Sequence, residues 1–168
     1  MTGRRKLRHD DLVGLIAAVS TAEVPPPVFQ AIESLSADVI GHRLFTIMRF
    51  DPKHDEVERV YTSMPAVYPV GGRKKKRDTA WSEHVLRDGR VFRANTQEAI
   101  RAAFEDHATI ASLGLGSALN IPVMRTAGPH DPGWCVGTMN LLHEAGWYTE
   151  QDEVVGAQLG IWLAAALA

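Results

Sequence analysis

Apolar residues at Leu12, Leu15, Ile16 and Val19 recur at the 3-4-3 spacing of one helical face and predict a helix over Asp10–Ala22. A second stripe, Phe29, Ile32, Leu35 and Val39, follows Pro25-Pro26-Pro27 and predicts a helix from these prolines to about Ile40. Proline suits the first helical turn, whose N–H groups have no intrahelical partner, and Gly41 supplies the stop. The pattern then shifts to strands. Arg43–Phe50 and Glu56–Met64 are β-rich, and Asp51-Pro52-Lys53-His54-Asp55 between them makes a hairpin connection. Pro65 to Arg77, with Gly71 and Gly72, reads as a loop of the length that tends to carry function or to move.

Downstream, Thr79–Arg87 reads as a short helix stopped by Asp88-Gly89, and Val91–Arg93 as a brief strand. Asn95 with Glu98 has the form of a capping box opening a helix over Thr96–Ala103, and another helix covers about Asp106–Leu113. Gly116–Val123 and Gly133–Leu142 read as two adjacent strands joined by a turn-rich loop. The last helix opens at Thr149 with Asp152 as its capping partner and runs to the end. It carries two stripes, Val155, Leu159, Trp162 and Ala166 beside Val154, Ile161 and Ala165. One stripe suffices to cover a sheet. The second, with the apolar face of Leu12–Val19, leads us to expect a homodimer formed through the terminal helices, with residues 1–24 as a dimerisation segment and 25–168 as the main domain.

At 168 residues, with 45% hydrophobic and 23% charged positions, the chain can bury a core without metal or disulfide staples. A single cysteine, Cys135, excludes an internal disulfide and suits a reducing compartment. The basic start lacks an apolar segment of signal-peptide character, and no run reaches membrane-span length, so the expectation is a cytoplasmic protein with no membrane partner. Charge is unevenly placed. Arg4, Arg5, Lys6 and Arg8 with Arg73-Lys74-Lys75-Lys76-Arg77 hold nine of the 18 basic residues, leaving nine basic against 20 acidic elsewhere, a difference of −11. Such patches suit an anion or nucleic acid, the plainer reading being a solvated loop and a frayed terminus; no reading helix or stacking aromatics accompany them, so nucleic acid is not the expected partner.

The ordered set His42–Phe45, Gly89–Phe92, Gly116–Val123, Gly133–Leu142 and Tyr148–Asp152, with its Leu-Asn-Ile-Pro-Val and Gly-x-x-Asn-Leu strands, resembles a GAF domain over Pro25 to Ala168. The resemblance implies an α+β fold, a central antiparallel sheet with helices on both faces, and a ligand pocket near Tyr68 to His107. It also implies a stand-alone small-molecule-binding module that senses or regulates, signalling through a protein partner. Several family chemistries lack their residues here. A sulfoxide-reducing GAF domain needs more than one cysteine, a bilin-binding one anchors its chromophore through a helical cysteine, and the Asn-Lys-x-Phe-Asp signature of cyclic-nucleotide GAF domains is absent.

Candidate site residues follow from local chemistry. Trp81-Ser82-Glu83-His84 opens a helix beside Arg73 and Arg77, so the positive helix end and the loop cations suit a carboxylate or phosphate against an indole wall. The plainer alternative makes Trp81 a core anchor and the others surface. Asn120 and Asn140 sit mid-strand, where asparagine is unfavourable, and bond either a ligand or neighbouring backbone. His107, beside Glu105 and Asp106, is a candidate base or ligand-binding group, with Asp106 capping the helix in the simpler account. The ligand-binding set is thus Arg77, Trp81, Ser82, His84, His107, Asn120 and Asn140, the ligand anionic or zwitterionic. The sequence identifies no cofactor, and the histidines lack metal-site spacing. The rival function is a small hydrolase or isomerase using His84 or His107 with Glu105 or Asp106; binding is favoured over catalysis.

Overall fold

The computed structural model describes residues 4–20, 26–75, 79–128 and 130–167. Along the chain run α1 (His9–Val19), α2 (Pro27–Val39), β1 (Leu44–Asp51), β2 (Glu56–Thr62), β3 (Arg73–Lys75) and α3 (Ala80–Ser82), which continues as a π-helical turn over Glu83–Arg87. Then come β4 (Phe92–Ala94), α4 (Gln97–Ala103), α5 (His107–Ser112), β5 (Ser117–Arg125), β6 (Trp134–His143) and α6 (Glu150–Gly160), which tightens into a 3-10 turn over Ile161–Leu163. The strands form one antiparallel sheet in the order β3-β2-β1-β6-β5-β4.

Alternation along the central strands divides the molecule into two layers. Phe45 and Ile47 of β1, Leu119 and Ile121 of β5, and Met139 and Leu141 of β6 pack with α1, α2 and α6 around Leu15, Ile32, Leu159 and Leu163. Their neighbours Leu44, Ala118 and Leu142 face the other way, toward Ile100, Ile110 and Tyr68. Helices therefore cover both faces. β4 meets only residues 118–120 of β5, so Pro122 lies past its end, where the N–H that proline lacks is not required.

α6 can press on β5 because it is small on that side. A Cβ at Gly156 would come within 2.7 Å of Ile121 Cδ1. Of the expected first stripe only Leu159 is buried, with Val155, Trp162 and Ala166 half-buried, and the buried line runs instead through Leu163 and Leu167. Leu159, Leu163 and Leu167 are buried, whereas Val154 and Ile161 are 53% and 71% exposed.

Several local expectations change. The helix over 97–103 is capped by Thr96, whose hydroxyl accepts from the Ala99 N–H; Asn95 instead bridges to the backbone of Tyr148 through both its amide atoms. The long loop contains β3, and before it Gly71 and Gly72 bond both backbone groups of Arg59, so the segment is laced to β2. Several cations of the basic patches pair with the acidic body. Arg4 pairs with Asp152, Arg5 with Asp11 and Asp38, and Arg73 with Glu56 and Glu58. No helix among the described residues is long and apolar enough to cross a membrane.

Candidate functional site

The layer containing α3, α4 and α5 does not close onto the sheet completely. Between them lies a cavity of about 200 Å³. Its floor comes from β1, β5 and β6, its roof from Trp81, Phe104, Asp106 and Ile110, and its side from Arg59, Tyr68 and Lys74.

A row of hydrogen bonds crosses the floor. Thr46, Asn140 and Asn120 occupy facing positions on adjacent strands. Trp81 Nε1–H donates to Asn120 Oδ1 at 2.9 Å, Asn120 Nδ2 to Asn140 Oδ1 at 2.9 Å, and Asn140 Nδ2 to Thr46 Oγ1 at 3.2 Å. Both amides are buried, 2% and 8% exposed, yet each uses only one donor and one acceptor in this row. An amide has two of each, so hydrogen-bonding capacity remains at the cavity floor. The asparagines thus bond side chains, an arrangement that neither sequence alternative named.

The second polar group stands at the side wall. Tyr68 Oη donates to Asp106 Oδ2 at 3.0 Å, and Lys74 Nζ lies 3.5 Å from Asp106 Oδ1. Burial first, then the neighbouring Asp106 charge, pushes the Tyr68 phenol well above its ordinary value, so Tyr68 is a donor and not a base. Asp106 precedes α5 but makes no side-chain cap there, contrary to the capping account. Arg59 is 9% exposed; its Nη1 donates to Pro69 O at 3.2 Å, and its guanidinium carbon lies 5.0 Å from the Tyr68 ring centre. Its Nε–H has no hydrogen-bond partner among the described residues. Burial disfavours the charged guanidinium and lowers its pKa, though an arginine remains protonated at neutral pH.

A strand irregularity brings Arg59 here. Ile47 pairs with Tyr61 but Met48 pairs with Arg59, leaving Val60 as an extra residue in β2. Tyr61 therefore joins the helical layer while Arg59 and Val57 line the cavity. Such bulges re-aim side chains at functional sites. The sequence does hold a signal: Val57, Arg59 and Tyr61 alternate, with an arginine in an otherwise apolar register.

Four of the expected site residues, Trp81, Ser82, Asn120 and Asn140, line the cavity. Ser82 is committed to α3's own cap: its Oγ accepts from Thr79 N–H and its N–H donates to Thr79 Oγ1. At this helix start Thr79 thereby takes the Ser82 N–H, and Arg73 pairs with glutamates on β2. His84 does not line the cavity; its Nε2 bonds the Val91 carbonyl at 2.9 Å and its ring meets Phe92 edge-on. His107, at the first position of α5, is half-buried and also outside the lining. Arg77 lies outside the described residues. Cys135 is buried, donates to Gly137 O, and has its thiol pKa raised by burial, as an inert packing residue would. No group of three or more His, Cys, Asp or Glu side chains among the described residues is placed to hold a metal.

Many solved structures match this fold. The GAF domain of a phosphoenolpyruvate-protein phosphotransferase from Coxiella burnetii superposes with a TM-score of 0.71 at 16% identity, over 94% of this chain and 90% of that one. The fold is that of a GAF domain. The GAF domain of a two-component sensor histidine kinase from Bacillus halodurans matches at 0.65 and 13% identity over 88% and 95% of the two chains. A GAF domain/HD domain protein from Geobacter sulfurreducens matches at 0.63 and 12%, over 93% and 94%. No family model matches the sequence, and no curated protein does. This GAF fold is therefore carried by sequence far from its structural neighbours, and their pockets do not transfer residue by residue.

Proposed function

We propose that this GAF domain is a sensory or regulatory module that holds a small anionic or zwitterionic ligand in the cavity beside its sheet. It signals by changing its contacts with another protein or a second copy. The observation that carries this reading is Arg59: a buried guanidinium on the cavity wall whose Nε–H has no partner among the described residues. A buried cation without a carboxylate in contact is costly, and an incoming anion removes that cost. Its GAF-fold neighbours include the domain of a sensor histidine kinase, which supports a sensory role. Binding is favoured over catalysis because His84 and His107, the bases a hydrolase or isomerase would use, stand outside the cavity lining.

Filling the cavity tests this. Ala103→Phe places a ring in the space Ala103 borders, so the variant keeps its fold and loses its ligand. Native mass spectrometry should detect a small molecule on the wild-type protein, or uptake from a metabolite extract, and neither on the variant. Equal uptake by both proteins places the ligand elsewhere.

The dimer rests on the outward stripe of the last helix. With Val154, Ile161, Leu12 and Ile16 all exposed by 40% or more, the terminal helices present apolar surface that a second copy would cover. Ile161→Glu should convert a dimer to a monomer in light scattering at roughly tens of micromolar, since a stable interface survives such dilution. A monomeric wild type removes the proposal.

A further inference from the structure

Resting on that binding reading, we infer that the ligand is a small flat monocarboxylate whose carboxylate meets Arg59 and whose apolar body lies between Trp81, Phe104 and Tyr68. Size sets the first limit. The cavity is small, about 200 Å³. Drug-sized ligands occupy pockets of about 300–1,000 Å³. A single ring with one or two substituents matches that volume better than a nucleotide or a linear tetrapyrrole.

Charge sets the second. Arg59 is buried, while Asp106 already receives the Tyr68 hydroxyl and has Lys74 at 3.5 Å. Lys75 and Glu105, also bordering the cavity, are exposed and opposite in sign. Among the described residues, the wall therefore carries one positive charge in excess. A monoanion balances it. A phosphate dianion would leave negative charge beside Asp106, where weak screening makes the repulsion large. A zwitterion's ammonium would compete with Lys74 for Asp106, and its zero net charge would leave the excess in place. The planar guanidinium fork also matches a carboxylate's two oxygens.

The walls set the shape. Three of the cavity's side chains, Tyr68, Trp81 and Phe104, are aromatic, and Trp81 meets Phe104 with ring centres 6.3 Å apart at 61°. They offer ring faces and edges to a flat guest. The spare capacity of Asn120 and Asn140 suits a neutral hydroxyl or carbonyl substituent, because each amide both donates and accepts.

The test is isothermal titration of the full chain with benzoate, 4-hydroxybenzoate and hexanoate. Benzamide serves as the neutral isostere, phenyl phosphate as the dianion and phenylalanine as the zwitterion. At least one acid should bind, with benzamide weaker than benzoate by about 10- to 100-fold, the range for a charge-assisted hydrogen bond. Arg59→Met should reduce acid binding by a similar factor and leave benzamide affinity unchanged. Arg59→Lys, which keeps the charge but loses the fork, should fall between them. Benzamide equal to benzoate, or tighter binding of phenyl phosphate or phenylalanine, overturns the monocarboxylate and leaves the cavity as the binding site. Failure of all six probes overturns it too; if the Ala103→Phe comparison also shows no ligand, the binding reading falls with it.

Discussion

Gly137→Ala should lower the melting temperature by roughly 6–12 °C, the shift that about 3 kcal/mol produces in a domain of this size. Gly137 lies in β6, paired with Arg49 of β1 on one side and Val123 of β5 on the other. A Cβ there would stand 2.1 Å from the Met48 carbonyl oxygen and 2.8 Å from Leu167 Cδ1. The leucine tip can turn away, but the carbonyl belongs to the sheet. The two central strands would have to separate, at the upper end of the usual overpacking cost of about 1–3 kcal/mol. Thermal unfolding followed by circular dichroism measures it. A change under 2 °C, roughly half a kcal/mol to a kcal/mol, would mean that the strands yield freely at this point.

Asp152→Ala and Arg4→Ala should each cost about 2–3 kcal/mol, and the double variant clearly less than their sum. The Asp152 carboxylate is 4% exposed and accepts from the Thr149 N–H at 2.7 Å and the Thr149 hydroxyl at 2.8 Å, closing the capping box of α6. Arg4 Nη1 reaches both its oxygens, at 2.8 and 2.7 Å, while Nη2 donates to the Trp147 carbonyl. Loss of the cap alone accounts for about 1 kcal/mol. The rest comes from stripping the partner of a buried charge, reduced because the Arg4 side chain is 30% exposed and still meets water. Urea unfolding of the four proteins gives the coupling energy. Strict additivity would show that Arg4 and the start of α6 stabilise the fold independently.

These two sites differ in how openly the chain announced them. Thr149 with Asp152 is a local pattern, and the cap forms as its spacing requires. The requirement for glycine at position 137 arises because β1 passes beside β6, two strands 94 residues apart at the Thr46–Asn140 pair. The Gly-x-x-Asn-Leu strand was visible, but its glycine had no stated reason until the Met48 carbonyl stood beside it. Asn120 and Asn140 were likewise visible as misfits in strands; their bonding to each other and to Trp81 depends on the β5–β6 register.

The cavity's charged wall was hidden for a different reason. Tyr68 lies in what reads as loop, Asp106 has the position of a helix cap, and Arg59 has the appearance of a surface cation on a strand. Each local reading is sound for a residue judged by its neighbours in sequence. They meet because β2 bulges at Val60, because Gly71 and Gly72 lace the loop to Arg59's backbone, and because α5 presents Asp106 to Tyr68. His84 and His107 failed to join them for the same reason: helical rotation and strand register aim a side chain, and ionisable character does not.

By itself the sequence determined the main helices and strands, β3 excepted, and the cap of α6, since periodicity and capping act over a few residues; the GAF order was legible through the family resemblance. Only the tertiary structure decided which polar groups share one cavity and which buried donor there has no partner among the described residues. Those properties depend on register, on a one-residue bulge and on burial, which join positions that are distant along the chain.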